Sequence, residues 1–168
     1  TRGVFGEVQL SALLEQMLSP EQYEVNVKTR PKGTEFVEFA IKLPGKNDGI
    51  KCVYLPIDAK FPIEDYQRLC DASEQGDQQQ IEVCLKALEK RVKEEAKSIH
   101  DKYIDVPHTT DFAVMYLSIE GLYAEVLRIP GLAEHLQQQY KVVVCGPTTL
   151  SALLNSLQLG FKTLYIEK

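Results

Sequence analysis

Two apolar runs in the second half of the chain constrain its fold most strongly. Residues 112–119 and 141–145 consist almost entirely of apolar side chains, and each run is followed by a stretch with helical periodicity. Short apolar runs of this kind are typical of strands that are covered on both faces of a sheet. We therefore expect an α/β domain in which helices flank a central sheet.

The first half of the chain predicts one helix and three strands. Apolar residues recur at helical spacing over 4–18, and residues 23–29 alternate between apolar and polar side chains, as a half-buried strand does. A second strand is expected over 35–43. The Pro, Gly, Asn and Asp residues of 44–49 predict a turn, which leads into a return strand over 50–58.

A helical insertion is expected over about 62–104. Apolar side chains recur there every three or four positions, and Gly76 followed by Asp77 is typical of a helix end and the N-cap of the next helix. Further helices are expected over 122–139, with an interruption at Pro130-Gly131, and after Pro147. The predicted order is α-β-β-β-α-α-β-α-β-α, in one domain that spans residues 1–168.

Composition argues against several functional classes. The chain has 24 acidic and 19 basic side chains and a net charge of −5, which does not suit a general polyanion binder. It has no apolar run long enough to span a bilayer, no P-loop and no G-x-S-x-G serine. Its four cysteines lack zinc-ligand spacing, so we expect reduced thiols in a cytoplasmic protein.

Because the chain starts without methionine and stops inside a helical pattern, we expect it to be excised from a longer chain.

An acid and a base end the otherwise apolar return strand. Asp58 and Lys60 are two residues apart, so they lie on one face of the strand. Charged groups on a central strand cost free energy unless they are paired or bind an ion. At this point a salt bridge at the strand end and a functional site explain the two residues equally well.

Glu38 is a second carboxylate that could join Asp58. It stands between Phe36 and Ala40, so we expect it to be half-buried. Antiparallel pairing about the turn would bring residue 38 opposite about residue 55, and a modest register shift would bring Glu38 to Asp58. Two carboxylates and a lysine suit Mg²⁺ or Mn²⁺, which prefer oxygen ligands. The arrangement predicts metal-assisted hydrolysis of phosphodiester bonds.

Longer motifs resemble two known groups of proteins. An acid, 19 residues and then Asp58-Ala59-Lys60 resemble the PD-(D/E)xK nuclease pattern. The segments R-G-V-F-G-E-V-Q-L at 2–10, I-D-A-K-F-P at 57–62 and C-G-P-T-T-L at 145–150 resemble the RmuC family of DNA recombination proteins, along nearly the whole chain. The resemblance implies a restriction-endonuclease-like core of order α-β-β-β-α-β, with a mixed central sheet flanked by helices.

The resemblance also implies a function and a set of residues. It implies an Mg²⁺-dependent (or Mn²⁺-dependent) nuclease domain that acts on DNA in bacterial recombination or genome-rearrangement control. In it Glu7 is the first-helix acid near the metal, Glu38 the second acid, Asp58 the principal metal ligand and Lys60 the catalytic lysine, while Ala59 offers its backbone carbonyl. The full-length protein would carry an upstream coiled coil anchored at the inner membrane, with no membrane contact within this domain.

The chain departs from the family pattern at two motifs. Phe5 replaces a Trp, and Val37-Glu38 replaces Pro-Asp. Glu38 keeps a carboxylate, but its extra methylene moves the oxygens by roughly one ångström, and the geometry around Mg²⁺ is demanding. The competing hypothesis is therefore a catalytically degenerate module on the same fold that binds DNA or a partner protein without cutting.

Charge distribution suggests where DNA would bind. Residues 28–51 carry six basic and three acidic side chains, whereas residues 62–101 carry ten acidic and six basic ones. We expect Arg2, Lys28 and Arg30 to contact DNA, which we expect to be branched, hairpin or single-stranded. Any homo-oligomer is expected to form through flanks outside this chain.

Two further polar groups each have a functional and a plain interpretation. Thr148 and Thr149 could present a DNA phosphate to a helix N-terminus, although a simple N-cap explains the same residues. Glu120 could add an acid at the end of a strand, and we prefer to interpret it as a carboxylate in the first turn of a helix.

Overall fold

The computed structural model describes residues 2–45 and 52–167, and the side chains of 5–45 and 52–161. The described residues form six α-helices and five strands in the predicted order, with two differences: a short 3-10 turn precedes the first strand, and the helical stretch expected over 122–139, counted once in that order, is divided into two helices at Pro130-Gly131. They are α1 (Arg2–Met17), β1 (Tyr23–Val27), β2 (Val37–Pro44), β3 (Cys52–Lys60), α2 (Ile63–Gln75), α3 (Gln78–Tyr103), β4 (Ala113–Leu117), α4 (Glu120–Arg128), α5 (Leu132–Tyr140), β5 (Val142–Cys145) and α6 (Pro147–Glu167).

The strands form one mixed sheet in the order β1-β2-β3-β4-β5. The first three strands pair antiparallel, and β3, β4 and β5 pair parallel. Every residue of β4 is buried, as expected for a strand with helices over both faces. The expected α/β fold with a mixed sheet flanked by helices is therefore confirmed. None of the helices in the described residues is both long and apolar enough to cross a bilayer.

Two apolar cores lie on opposite faces of this sheet. One contains residues of α1 and α6 together with Phe39 and Ile57, and the other contains residues of α2, α3, α4 and α5 together with Ala40 and Met115. Because successive strand residues point to opposite faces, Glu38 and Asp58 point to the face covered by α3.

Local signals placed the helix boundaries well. Gly76 ends α2 with φ of 67°, a conformation that favours glycine, and the Asp77 carboxylate accepts a hydrogen bond from the Gln80 N–H. The exposure of β1 differs from the expected alternation, since Val25 is 53% exposed while Val27 is buried. Val27 packs in the core that α3 covers, whereas Val25, two residues nearer the start of this edge strand, belongs to neither apolar core.

Candidate functional site

The register between β2 and β3 brings the two expected carboxylates together. Phe39 pairs with Ile57 and Ala40 with Pro56, so one further step places Glu38 beside Asp58. The expected partner of residue 38, residue 55, instead pairs with Ile41. The hairpin is centred midway between Pro44 and Cys52, slightly later than the turn residues suggested. Most of that turn, expected over 44–49, lies outside the described residues, as does the start of the return strand expected from residue 50.

Asp58 and Lys60 form an ion pair at the end of β3. The Lys60 Nζ lies 3.1 Å from the Asp58 Oδ2, and Asp58 is 3% exposed. Burial raises the pKa of Asp58, while the positive charges of Lys60 and Lys102 oppose that rise. Ala59, between them, pairs with Tyr116 of β4 in the parallel ladder. The strand end thus holds a desolvated carboxylate beside a lysine that is still partly exposed.

Glu7 reaches the same place from α1. Gly6 is buried, and a Cβ on it would lie 3.6 Å from the Ser118 Oγ and 3.8 Å from the Ala59 Cβ, so this turn of α1 lies against the ends of β3 and β4. Burial raises the pKa of Glu38 to about 8, and a hydrogen bond with Glu7 and the negative charges of Asp58 and Glu7 act in the same direction. All four residues expected to be catalytic, Glu7, Glu38, Asp58 and Lys60, therefore come together.

Glu95 of α3 is a fifth member of the cluster, which the sequence analysis missed. Burial raises its pKa to about 7, the charges of Asp58 and Asp65 add to that rise, and Lys60 and Arg91 oppose it. A signal was present in the sequence, because a carboxylate at position 95 falls on the apolar stripe of α3, three residues after Val92. The stripe shows that Glu95 faces the protein interior, but it does not show that α3 crosses the end of β3, where Asp58 and Lys60 lie.

The carboxylate oxygens of this cluster fit a hard divalent cation. Glu38 Oε2, Asp58 Oδ2 and Glu95 Oε2 are buried and lack a hydrogen-bond partner among the described residues, although Lys60 contacts Asp58 as an ion pair. Within the same residues, no three His, Cys, Asp or Glu side chains form a ready set of metal ligands. Carboxylate oxygens are the donors that Mg²⁺ prefers, and Mg²⁺ commonly keeps several water ligands beside one or two carboxylates.

Two of the residues expected to contact DNA, Lys28 and Arg30, follow the end of β1. Lys28 and Arg30 are exposed, and Arg30 donates a hydrogen bond from Nη1 to the Asp101 carbonyl. Arg30, Lys32 and His108 line a cavity of about 480 Å³. The side chain of Arg2 and all of Lys46 and Lys51 lie outside the described residues.

The Thr148-Thr149 turn is engaged within the protein. The Thr149 Oγ1 accepts a hydrogen bond from the Gly146 N–H at 2.7 Å. Since α6 begins at Pro147, Thr149 is the third residue of the helix and satisfies the backbone N–H of the residue that precedes the helix, so neither threonine is the N-cap that was expected. The Thr148 N–H donates to the Glu120 Oε1 at 2.6 Å. Glu120 lies in the first turn of α4, as we preferred, and its carboxylate also lies against the N-terminus of α6.

Comparison with known proteins identifies the family. The RmuC family model matches residues 1–168. Proteins called DNA recombination protein RmuC homolog are 56% identical over the whole chain in two strains of Xylella fastidiosa, and 29% identical over 96% of it in Chlamydia muridarum. The chain spans 37% of the length of the Xylella proteins and 35% of the Chlamydia protein. No solved structure matches the chain. Since the family model covers the entire sequence, the chain belongs to the RmuC family.

Proposed function

We propose that this chain is a metal-dependent nuclease domain of the restriction-endonuclease-like type, which hydrolyses DNA phosphodiester bonds during DNA recombination. One observation carries the proposal: the β2–β3 register sets Glu38 beside Asp58, on the face and at the end of the strand where Lys60 lies. The element order α-β-β-β-α-α-β supports the fold type, and the name of the family's curated members supports the role in recombination.

The proposed roles are those that the resemblance to the RmuC family implies, and the position of each side chain is compatible with them. Glu38 and Asp58 would hold Mg²⁺ or Mn²⁺, with the Ala59 carbonyl as a further oxygen donor and with Glu7, which is hydrogen-bonded to Glu38, assisting. When bound, such a cation would supply Lewis-acid activation of the phosphate and would lower the pKa of a water molecule bound to it. Lys60 is partly exposed, so its ammonium group can turn from Asp58 toward the attacking water and the negative charge that develops on the phosphate.

Glu95 belongs to the same proposal as a supporting acid. Its carboxylate is influenced by the charges of both Lys60 and Asp58. We propose that Glu95 helps to orient Lys60, or a water ligand of the metal, from the helical side of the cluster.

The substrate and its approach are also part of the proposal. Lys28, Arg30 and Arg2 would bind the DNA backbone, and the domain would act in the cytoplasm on branched, hairpin or single-stranded DNA. Thr148 and Thr149 are left out of this contact, because the Thr148 N–H and the Thr149 hydroxyl are already bonded within the protein, the former to the Glu120 carboxylate. A membrane anchor and any contacts between copies would belong to other parts of the full-length protein.

A second function, a binding module that does not cut, has its own support. The Asp58 carboxylate is already paired with Lys60 at 3.1 Å, and Glu38 replaces the aspartate of the family pattern. Such a site could bind DNA through the same fold while having lost its chemistry.

A cleavage assay tests the proposal. We expect the chain to cut labelled single-stranded, duplex or hairpin DNA in Mg²⁺ or Mn²⁺, and expect Asp58→Asn and Lys60→Ala to lose at least about a hundredfold in rate. Asp111→Asn is the matched control, because Asp111 is exposed and precedes β4 at the opposite end of the parallel strands. DNA binding in EDTA without cleavage in either metal would favour the binding module.

A further inference from the structure

A buried carboxylate lies next to the cluster, in the first turn of α2. Asp65 follows Lys60 by five residues and is 9% exposed. Two arginines face it: the Arg91 Nε lies 3.4 Å from one carboxylate oxygen, and the Arg68 Nη1 lies 3.9 Å from the other. A buried carboxylate needs one cation to offset its charge. The second arginine therefore leaves a positive charge beside an otherwise acidic cluster.

Arg91 is the arginine that reaches toward the cluster. It precedes Glu95 by four residues on α3, so the two side chains are neighbours on the same face of the helix. Its positive charge opposes the rise in the pKa of Glu95, as the charge of Lys60 does. Burial still raises this pKa to about 7, so at neutral pH Glu95 is only partly ionised and offsets only part of the charge of Arg91.

The ion pair leaves the outer end of Arg91 available to a ligand. Asp65 engages Nε, the inner nitrogen of the guanidinium group, and the Arg91 side chain is 54% exposed. The outer nitrogens, Nη1 and Nη2, form a planar fork that matches two oxygens of a phosphate group. Because the contact at Nε fixes the plane of the group, Asp65 sets the direction of this fork. Lys60 does not offer the same contact while its ammonium group lies 3.1 Å from Asp58.

We propose that Arg91, positioned by Asp65, binds a backbone phosphate of the DNA at the α3 side of the cluster. The inference rests on the proposed function, because it assigns a substrate contact to that same site. A phosphodiester carries a negative charge into a site lined by carboxylates, so a cation on the helical side favours its binding. The contact is with the sugar-phosphate backbone and therefore does not depend on the base sequence.

A plain ion pair that joins α2 to α3 is the competing interpretation of the same contact. It predicts that loss of the Arg91 side chain lowers stability and leaves DNA binding unchanged. It also predicts that loss of the Asp65 charge makes the surface more positive and strengthens DNA binding, whereas a misdirected Arg91 fork weakens it. The two interpretations therefore predict opposite signs at Asp65.

Fluorescence anisotropy of a labelled oligothymidylate in EDTA, over a series of NaCl concentrations, measures binding without cleavage. At about pH 6 Glu38 and Glu95 hold most of their protons, because their pKa values are about 8 and about 7. We expect Arg91→Gln to bind about tenfold more weakly and to lower the slope of log affinity against log salt concentration by about 0.7, the share of one phosphate contact. Arg91→Lys should keep the slope and regain only part of the affinity.

The other variants separate position from charge. Arg128→Gln is the matched control, because Arg128 is 70% exposed and pairs with Glu125 at 2.7 Å in the last turn of α4. It should bind DNA as the wild-type chain does. Asp65→Asn should weaken binding about threefold and keep the wild-type slope. Urea unfolding shows that each variant is folded.

Several results would overturn the inference. They are wild-type affinity in Arg91→Gln, equal losses in Arg91→Gln and Arg128→Gln, tighter binding by Asp65→Asn, and a wild-type chain that does not bind the oligomer. The nuclease proposal is judged separately by cleavage in Mg²⁺ or Mn²⁺, which Asp58→Asn should lose while it keeps the wild-type salt slope. If the chain cuts DNA and Arg91→Gln binds it as well as wild type does, this inference alone fails.

Discussion

Replacing Glu38 by glutamine removes a carboxyl group whose ionisation the folded state opposes. The pKa of Glu38 is raised from 4.5 to about 8 by burial, by the hydrogen bond with Glu7 and by the charges of Asp58 and Glu7. The folded state therefore binds this proton more tightly than the unfolded chain does. It follows that the free energy of unfolding falls as the pH rises from about 4.5 to about 8, and that this contribution is constant outside that window.

The size of this effect follows from the two pKa values. One pKa unit corresponds to about 1.4 kcal/mol of free energy. The full difference between 4.5 and about 8 would therefore change the free energy of unfolding by at most about 5 kcal/mol, if water did not screen the group. Glu38 is partly exposed, and water screens its interactions with Glu7 and Asp58. We therefore expect Glu38 to account for about 2 kcal/mol of the stability that the wild-type chain loses across the window, so that Glu38→Gln should lose about 2 kcal/mol less than wild type.

Urea unfolding in EDTA, followed by circular dichroism at a series of pH values, measures this difference. Glu134→Gln is the control, because Glu134 is an exposed glutamate in the first turn of α5. It should follow the wild-type pH dependence. If Glu38→Gln and wild type lost the same free energy between about pH 4.5 and about pH 8, Glu38 would not lie in a desolvated acidic cluster and the reasoning would fail.

Four further predictions use the same unfolding assay. Mg²⁺ at ten times its dissociation constant should stabilise the wild-type chain by about 1.4 kcal/mol near neutral pH and leave Asp58→Asn unchanged; equal stabilisation of both would argue against the site. Glu95→Gln should flatten the fall in stability between about pH 4.5 and about pH 7, since burial raises the pKa of Glu95 to about 7, and an unaltered profile would contradict this. Leu88→Ala should cost about 3 kcal/mol because Leu88 is fully buried in the core beside α3, whereas a loss below about 1 kcal/mol would place it outside that core. Gly76→Ala should cost about 1 kcal/mol because its φ is 67°, and an unchanged midpoint would show that this helix end adopts another conformation.

Fold class and element order could be predicted because they depend on short-range patterns. The alternation in 23–29, the helical spacing of 62–104 and the Gly76-Asp77 break each involve neighbours within a few residues. Such neighbours have nearly the same geometry in any protein that contains the element. The same reasoning placed Asp58 and Lys60 on one face of β3, where they form an ion pair.

The candidate site was predicted in part. Glu38 and Asp58 were expected to converge, but the pairing of residue 38 was misplaced by three positions, because the residues of the turn do not specify where the hairpin is centred. The observed register of β2 and β3 agrees with the packing on the two faces of the sheet. Phe39 and Ile57 lie in one apolar core, and Ala40 lies in the other. A shift by one residue would have exchanged those faces.

The sequence by itself determined the helices, the strands and the faces on which Asp58 and Lys60 lie. Only the tertiary structure decided that Glu7, Glu38 and Glu95, from three separate elements, meet at the end of β3, and that Arg91 of α3 pairs with Asp65 of α2. The physical reason is that periodicity sets the direction of a side chain relative to its own element. The distance between elements depends on strand register and helix packing, which the whole apolar core sets cooperatively.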